Sequence, residues 1–195
     1  NYIKIKMKLI IIRHGQTVDN VNKIVQGHLP GKLTKLGIEQ AQKLAVRLKD
    51  EKIDFIYSSD LTRAVDTANI VAQYHKDTPL IFSRDLREKN QGSFQGKYGP
   101  DLDWENPPND METLDQIHKR AKRVIDEFYE KHANDTTLFS THGRFKMALQ
   151  SIIFDKDVMG MDGLDTPGNT AVTIVEMTED KEHKIHLLNC VKHLE

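Results

Sequence analysis

The chain has 195 residues, of which 38% are hydrophobic and 29% are charged, and its formal net charge at pH 7 is −1. This composition is typical of a soluble globular protein, and we expect residues 1–195 to form a single domain. The nearly balanced charge provides no general attraction for nucleic acid or for a membrane surface. An anionic ligand would therefore have to be bound by a local cluster of positive groups.

Cysteine content and apolar runs narrow the class of protein further. The single cysteine, Cys190, excludes an internal disulfide framework and a cysteine-based zinc site. The apolar run at 9–12 is far shorter than the roughly 20 residues that span a bilayer. It is also too short for the core of a signal peptide, and Arg13-His14 interrupts it. We therefore expect a cytoplasmic monomer or homodimer that binds neither membrane nor nucleic acid.

The first half of the chain alternates strand patterns with helical patterns. A continuous apolar run at 8–12 predicts a buried central strand, and residues 54–58 predict a second strand. Between them, residues 36–48 carry apolar side chains at helical spacing. These inward-facing residues are predicted to be Ile38, Ala41, Leu44, Ala45 and Leu48. Asp60 is expected to cap the next helix, which is predicted to run to about Tyr74.

The second half continues the same alternation. Residues 80–82 predict a short strand, residues 114–128 a long helix, and residues 137–140 another strand, followed by a helix that begins near Gly143. Two closing strands are predicted at 171–175 and 185–188. Strand–helix alternation of this kind predicts an α/β fold, a three-layer α/β/α sandwich with a mostly parallel central sheet.

The least regular stretch lies at 89–112 and contains Pro107-Pro108. Long loops in compact domains are often functional. We therefore predict that 89–112 forms a short cap over a site.

Chemically useful residues follow three of the predicted strands. Arg13-His14 follows the first strand, Arg63 lies in the first turn of the helix after the second, and His142 follows the strand at 137–140. Ligands of open parallel sheets bind beyond the carboxyl ends of the strands, so these side chains should meet at one edge. Two arginines match the charge and geometry of a phosphate group. The N-termini of the helices after Arg63 and Gly143 are expected to strengthen this anion site.

His14 is the candidate nucleophile of this cluster. A histidine attacks only when one ring nitrogen is unprotonated, and the nearby arginines disfavour its cationic form. Gly15 is expected to let the backbone approach the phosphate closely. Glu88, which follows the strand at 80–82, is the best candidate for the carboxyl group that protonates the leaving oxygen.

The sequence resembles the histidine phosphatase superfamily, also called phosphoglycerate mutase-like, from about Lys8 to the C-terminus. Five motifs in order carry this resemblance. They are Arg13-His14-Gly15-Gln16-Thr17 with Asn20 and Gln26-Gly27; Ser58-Ser59-Asp60-Leu61-Thr62-Arg63-Ala64 with Thr67-Ala68; Leu86-Arg87-Glu88 with Gly92 and Gly96; Ser140-Thr141-His142-Gly143; and Pro167-Gly168-Asn169-Thr170.

The resemblance implies a phosphoglycerate mutase-like fold and a role for each matching residue. His14 would be phosphorylated, and Glu88 would act first as general acid and then as general base. Arg13, Arg63 and His142 would complete the phosphate pocket. The remaining residues expected to contact phosphate or substrate are Gly15, Asn20, Gln26, Gly27, Gly143, Arg144 and Asn169. The family needs no metal or organic cofactor, so none is expected; the expected partner is a small phosphorylated substrate.

The sequence departs from the family pattern at two positions. Arg144 replaces the usual small residue after the second His-Gly, and it either reaches the pocket rim, where it would bind a second anionic group, or faces solvent. Phe94-Gln95-Gly96 replaces the frequent Trp-Glu-Gly, which should not affect the chemistry because Glu88 is retained.

Several functions remain open at this point. The first is a phosphatase; the second is a cofactor-dependent phosphoglycerate mutase; the third is a non-catalytic phospholigand-binding module. A cap that holds only Lys89 and Lys97 as cations favours hydrolysis over mutase chemistry. Among phosphatases, the fructose-2,6-bisphosphatase, α-ribazole phosphatase and broad-specificity branches share the pattern. We predict that His183, His186 and His193 are exposed to solvent. A metal site formed by these three histidines is the alternative.

Overall fold

One six-stranded sheet forms the centre of the computed structural model, which describes residues 5–178 and 183–195. The strands are β1 (Ile5–Arg13), β2 (Phe55–Ser59), β3 (Leu80–Ser83), β4 (Thr136–Thr141), β5 (Val172–Thr178) and β6 (Lys184–Cys190). Their spatial order is β3-β2-β4-β1-β5-β6. The sheet therefore places β4 and β1, which carry His142 and His14 just beyond their ends, side by side.

Strand direction confirms the predicted mostly parallel sheet. β1 pairs in parallel with β4, β4 with β2, and β2 with β3. The two closing strands differ, because β5 runs antiparallel to β1 and β6 runs antiparallel to β5. Since β1, β2 and β4 are parallel, their carboxyl ends lie at the same edge of the sheet.

Helices cover both faces of the sheet. The α-helices of the structure are α1 (Val18–Val21), α2 (Lys35–Leu48), α3 (Thr62–Ala72), α4 (Leu114–Lys131), α5 (Gly143–Ile153) and α6 (Val158–Asp162), of which α2–α6 contribute to the two cores. Leu9 and Ile11 of β1 belong to the core beneath α4, α5 and α6, whereas Ile10 and Ile12 belong to the core beneath α2 and α3. This alternation is that of a strand buried on both faces, and it confirms the three-layer sandwich. In the described part of the chain, no helix combines the length and apolarity required to cross a bilayer.

The first turn of α2 differs from the prediction. Ile38 was expected to face inward, but 42% of it is exposed. Gly37 occupies the inward position instead, because a Cβ there would overlap the backbone carbonyl of Gln16. Further along α2 the predicted inward residues are buried. The close approach between the start of α2 and the segment after β1 therefore turns Ile38 outward.

The prediction that Asp60 caps α3 is wrong. α3 begins at Thr62, and its N-cap residue, Leu61, makes no side-chain capping bond. The carboxylate of Asp60 instead accepts two hydrogen bonds from Arg87, each 2.6 Å long. A bidentate charged pair is stronger than a single capping bond, and it ties the end of β2 to the segment that carries Glu88. α3 also ends at Ala72, before the predicted Tyr74.

The loop at 89–112 is fastened by backbone hydrogen bonds. Val25 N donates to the carbonyl of Lys97 over 2.9 Å, and Gly96 N donates to the carbonyl of Val25 over 2.8 Å. The two ends of the loop are joined by a 2.9 Å bond from Glu112 N to the carbonyl of Asn90. The loop thus lies against the segment that precedes His28, next to the edge where the parallel strands end.

Candidate active site

The carboxyl edge of the parallel strands brings the predicted cluster together. β1 leads into His14, β2 leads into α3, which carries Arg63, and β4 leads into His142. The three side chains are buried, and the rings of His14 and His142 lie 5.2 Å apart between centroids. The predicted gathering of these residues at one edge is therefore present in the structure.

The ring of His14 has a defined tautomer. Nδ1 lies 2.7 Å from the carbonyl oxygen of Gly15, which can only accept, so Nδ1 carries the proton. Nε2 accepts a hydrogen bond from Nε of Arg63 over 3.2 Å. Burial, and next the charges of Arg63 and Arg13, hold the pKa of His14 well below its ordinary value of 6.5. His14 is therefore neutral, with its lone pair at Nε2, as a nucleophile requires.

Backbone carbonyls hold the guanidinium of Arg63 in place. Nη1 donates to the carbonyl of Leu29 over 2.6 Å, and Nη2 donates to the carbonyl of Gly27 over 2.8 Å. Burial lowers the pKa of Arg63 to about 10, which leaves it protonated at neutral pH. Gly27, predicted to contact phosphate, acts here through its carbonyl on Arg63.

Arg13 offers a free donor at the same edge. Its Nη1 donates to the carbonyl of Pro167 over 2.5 Å. Its Nε is buried and has no hydrogen-bond partner among the residues that the structure describes. Burial lowers the pKa of Arg13, and Glu88 opposes that change. Because buried donors are nearly always paired, this N–H is a candidate contact for a bound anion.

The carboxylate of Glu88 sits on the N-terminus of α5. Its oxygens accept from the backbone amides of Phe145 over 3.1 Å and Arg144 over 3.2 Å. The positive end of this helix, expected to bind phosphate, thus holds the candidate general acid. A Cβ on Gly143 would lie 3.6 Å from Cζ of Arg13 and 3.8 Å from Oε2 of Glu88. The backbone of Gly143 therefore lies next to both the guanidinium of Arg13 and the carboxylate of Glu88.

Gly15 has a packing role that the sequence did not indicate. Its amide donates to Oγ1 of Thr67 over 3.1 Å, so that N–H is already paired. A Cβ on Gly15 would overlap the carbonyl oxygen of Gly37. The structure therefore requires glycine at this position to allow packing against α2; the approach of its backbone to a phosphate stays a prediction.

Three other predicted contact residues support the His14 segment. Nδ2 of Asn169 lies 3.2 Å from both the carbonyl of His14 and Oδ1 of Asn20. Oδ1 of Asn20 also accepts from the amide of Thr17 over 3.1 Å. Oε1 of Gln26 accepts from Oγ1 of Thr17 over 3.1 Å. These bonds fix the loops around the nucleophile.

The side chain of Arg144 forms an ion pair on the surface. Its Nη1 donates to Oδ1 of Asp162 on α6 over 2.8 Å, and 41% of the side chain is exposed. Of the two alternatives for this residue, this position matches the solvent-facing one.

The C-terminal histidines have separate protein partners. His186 is exposed and pairs with Glu176 over 3.1 Å, while Nε2 of His193 lies 3.0 Å from Oγ1 of Thr170. His183 and His193 are half-buried rather than fully exposed. Among the described residues no cluster of three or more His, Cys, Asp or Glu side chains could hold a metal ion.

Sequence reasoning gave no role to Ser59, although it lies within the second motif. Its Oγ is 2.8 Å from Nε2 of His142. Its position at the end of β2 could have indicated this contact, because the ends of β2 and β4 share one edge. No sequence signal marked the carbonyls of Leu29 and Pro167, which orient the two arginines.

Comparison with known proteins gives this site its class. Residues 9–191 match the model of the histidine phosphatase superfamily (branch 1). The chain belongs to this superfamily, and it is a phosphoric monoester hydrolase.

Individual relatives agree with the family. The broad-specificity phosphatase YOR283W of Saccharomyces cerevisiae is 30% identical over 204 residues, which cover 96% of this chain and 87% of that protein. A metal-independent phosphoserine phosphatase of Arabidopsis thaliana is 31% identical over 152 residues, or 70% of this chain and 64% of that protein. The solved structure of YhfR from Bacillus stearothermophilus superposes with a TM-score of 0.88 at 27% identity, covering 97% of this chain and 100% of that one.

Proposed function

We propose that this protein hydrolyses a small phosphomonoester through a phosphohistidine on Nε2 of His14, without a metal ion or an organic cofactor. One observation carries the proposal. The carbonyl of Gly15 holds the proton of His14 on Nδ1, and the lone pair at Nε2 faces Nε of Arg63 over 3.2 Å. The nucleophilic nitrogen, Nε2 of His14, is therefore in direct contact with Arg63, the cation that would bind phosphate. The description of the Arabidopsis relative as metal-independent supports the absence of a metal requirement.

Substrate binding replaces the hydrogen bond between Arg63 and His14 with one between Arg63 and the phosphate. A phosphate oxygen accepts the Nε–H of Arg63, which releases the lone pair of His14 for attack on phosphorus. Nε of Arg13 supplies a second donor. Charge-assisted hydrogen bonds of this kind contribute about 1.5–3 kcal/mol each, and they stabilise the charge on the transferring group.

In the first step, Nε2 of His14 forms a bond to phosphorus as the bond from phosphorus to the ester oxygen breaks. Glu88, in its acid form, gives its proton to that departing oxygen, and the alcohol leaves. The Nδ1–H bond to the carbonyl of Gly15 stabilises the positive charge on the phosphorylated ring.

In the second step, water attacks phosphorus and the bond to His14 breaks. Glu88, now a carboxylate, takes a proton from the attacking water and returns to its acid form. Its position on the amides of α5 stabilises this carboxylate form, and the neighbouring Gly143 and Arg13 place it at the phosphate-binding edge. Inorganic phosphate then leaves.

The cap supports hydrolysis over mutase chemistry. A mutase must hold the second anionic group of a phosphoglycerate, whereas Lys89 is buried with its Nζ 3.0 Å from Sδ of Met111. Lys97, the other cation of the cap, is exposed. Asp101 and Asp103 of the same loop are also exposed. A binding module without catalysis would not require Glu88 near Arg13 and Gly143 at this edge.

The test is hydrolysis of p-nitrophenyl phosphate in the presence of EDTA by the wild type and by His14→Ala. We expect activity in the wild type and its loss in the variant. His118→Ala is the matched control, because His118 lies on α4 and contacts the carbonyl of Lys156. It should keep wild-type activity. Rapid quenching should also trap an acid-labile phosphoenzyme in the wild type and in His118→Ala, but not in His14→Ala.

Two results would overturn the proposal. Full activity in His14→Ala would remove the phosphohistidine mechanism. Faster interconversion of phosphoglycerates than phosphate release would establish the mutase instead. A panel of phosphoserine, fructose 2,6-bisphosphate and α-ribazole phosphate then ranks the substrate classes by kcat/KM.

A further inference from the structure

Ser59 and His142 form a buried contact next to the nucleophile. Oγ of Ser59, at the end of β2, lies 2.8 Å from Nε2 of His142, and both residues are fully buried. The amide of Leu61 donates to the same Oγ over 3.2 Å. The serine oxygen therefore already accepts one hydrogen bond from the backbone.

The proton of the Ser59 hydroxyl needs an acceptor of its own. In the described part of the structure, Nε2 of His142 is the acceptor within reach of this hydroxyl. Leaving a buried donor unpaired costs about 1–3 kcal/mol. An Nε2–H on His142 would leave the Ser59 hydroxyl proton unpaired whether or not a ligand is bound, whereas an N–H at Nδ1 can be paired by a bound phosphoryl group. The arrangement that pairs both donors in the liganded site therefore has the hydroxyl donating to Nε2 of His142, so that this nitrogen carries no proton.

The other ring nitrogen then carries the proton of His142. Burial, and next the charges of Arg63, His14 and Arg13, hold the pKa of His142 well below 6.5, so the ring is neutral with a single N–H. That N–H is at Nδ1. Nδ1 is buried and has no hydrogen-bond partner within residues 5–178 and 183–195, although the ring lies beside the nucleophile.

We propose that Ser59 is a positioning residue that fixes His142 as the Nδ1–H tautomer, so that this N–H is donated to the phosphoryl group transferred to His14. The inference rests on the proposed phosphohistidine function. Ser59 touches neither substrate nor nucleophile; it acts through the ring of His142.

Loss of the hydroxyl has a specific consequence. Without Ser59 as donor, His142 can carry its proton on Nε2 and present a lone pair at Nδ1 to the phosphoryl oxygens. Repulsion there would be largest in the transition state. Removing the partner that orients a metal-ligating histidine typically costs about 10–100-fold, and by analogy we expect a loss of about this size in kcat with a smaller change in KM.

The matched pair of variants is Ser59→Ala and Ser58→Ala. Both serines are fully buried neighbours at the end of β2. Oγ of Ser58 donates to the carbonyl of Ser59 over 2.8 Å and does not contact His142. Ser59→Ala should lower kcat and weaken inhibition by orthovanadate, whereas Ser58→Ala should change both by less than about threefold. Ser59→Thr keeps the hydroxyl and should restore most of the activity.

Nitrogen NMR of the histidine rings tests the tautomer independently of activity. We expect His142 to be protonated at Nδ1 in the wild type and to shift toward Nε2–H in Ser59→Ala. In a His142→Ala background, Ser59→Ala should cost nothing further. An Nε2–H signal in the wild type, or additive losses in the double variant, would overturn the inference. Loss of the phosphohistidine mechanism would show separately, as activity in His14→Ala.

Discussion

Nε of Arg63 and Nε2 of His14 are in direct hydrogen-bond contact over 3.2 Å. The contact joins the cation that would bind phosphate to the atom that would attack it. Burial, and next the charge of this guanidinium, lower the pKa of His14 and keep the imidazole neutral. A phosphate oxygen that takes this hydrogen bond places phosphorus next to the lone pair.

The geometry of Arg63 makes lysine a poor substitute. Arg63 uses Nε for His14 and separate Nη atoms for the carbonyls of Gly27 and Leu29. One ammonium group cannot reproduce this planar fork. We expect Arg63→Lys to lower kcat/KM for p-nitrophenyl phosphate by about 10²–10³, the usual effect of removing one preorganised donor. Steady-state kinetics at saturating and limiting substrate measure the loss.

Arg123→Lys is the control for that variant. Arg123 lies on α4, is about half exposed and pairs with Asp85 and Glu127. Its replacement should change kcat/KM by less than about twofold. Comparable activity in Arg63→Lys and the wild type would contradict the proposed role of the fork.

Leaving-group dependence tests Glu88 as general acid. An alkyl phosphate needs a proton on its departing oxygen, whereas p-nitrophenolate leaves without one. We expect Glu88→Gln to lower the rate constant for phosphorylation of the enzyme by phosphoserine by about 10²–10⁴ and to lower that for p-nitrophenyl phosphate distinctly less, whereas the shared hydrolysis of the phosphoenzyme should slow equally for both. Single-turnover rates for the two substrates measure the ratio.

Glu112→Gln is the carboxylate control. Glu112 pairs with Arg120 over 2.8 Å at the end of the cap, so its variant should affect both substrates equally. If Glu88→Gln lowered the single-turnover rates for both substrates equally, Glu88 would not be the proton donor and would act only by positioning other groups.

The sequence predicts those parts of the site that follow from strand order and direction. Arg13-His14, Arg63 and His142 each follow a strand of a parallel set, and parallel strands end at one edge. That rule suffices to bring them together. The apolar periodicities of β1 and α4 likewise predict the layers, because burial on a sheet face has a fixed period.

Contacts between distant segments were not predictable in this way. Asp60 follows a strand like any N-cap residue, yet it pairs with Arg87, and Ile38 turns outward because Gly37 packs on Gln16. The direction of the Arg144 side chain depends on α6. In each case a tertiary partner, invisible in the local pattern, decides the outcome.

Stability should depend on pH through the buried histidines. The pKa values of His14 and His142 are held well below 6.5 in the folded protein, chiefly by burial. The unfolded chain binds these protons near pH 6.5, so below that pH it binds more protons than the folded state does. The free energy of unfolding should therefore reach its maximum contribution from these histidines above about pH 7.5. It should fall as pH decreases below 6.5, by up to about 1.4 kcal/mol per pH unit for each histidine.

Urea unfolding of the wild type and His14→Gln between pH 7.5 and 5.5 measures this dependence. The pKa values of His28, His75 and His193 are lowered in the same direction by burial and add to the wild-type slope. The comparison isolates His14, because the variant lacks only that proton. The free energy of unfolding of the variant should change less steeply with pH, by the equivalent of up to one proton taken up on unfolding. Identical pH dependences would mean that His14 is protonated in the folded state.

The ion pair of Arg144 with Asp162 leads to the last prediction. Since the side chain is directed toward α6 and 41% exposed, Arg144→Ala should change kcat/KM for phosphomonoesters by less than about threefold, the scale of a surface pair worth at most 1 kcal/mol. The backbone amide that Arg144 donates to Glu88 survives the change. Relative preference between mono- and bisphosphates, measured by competition, should stay the same, and Asp162→Ala should behave alike. A selective loss of bisphosphate turnover in Arg144→Ala, but not in Asp162→Ala, would show that the guanidinium leaves Asp162 to bind a second phosphate at the pocket rim.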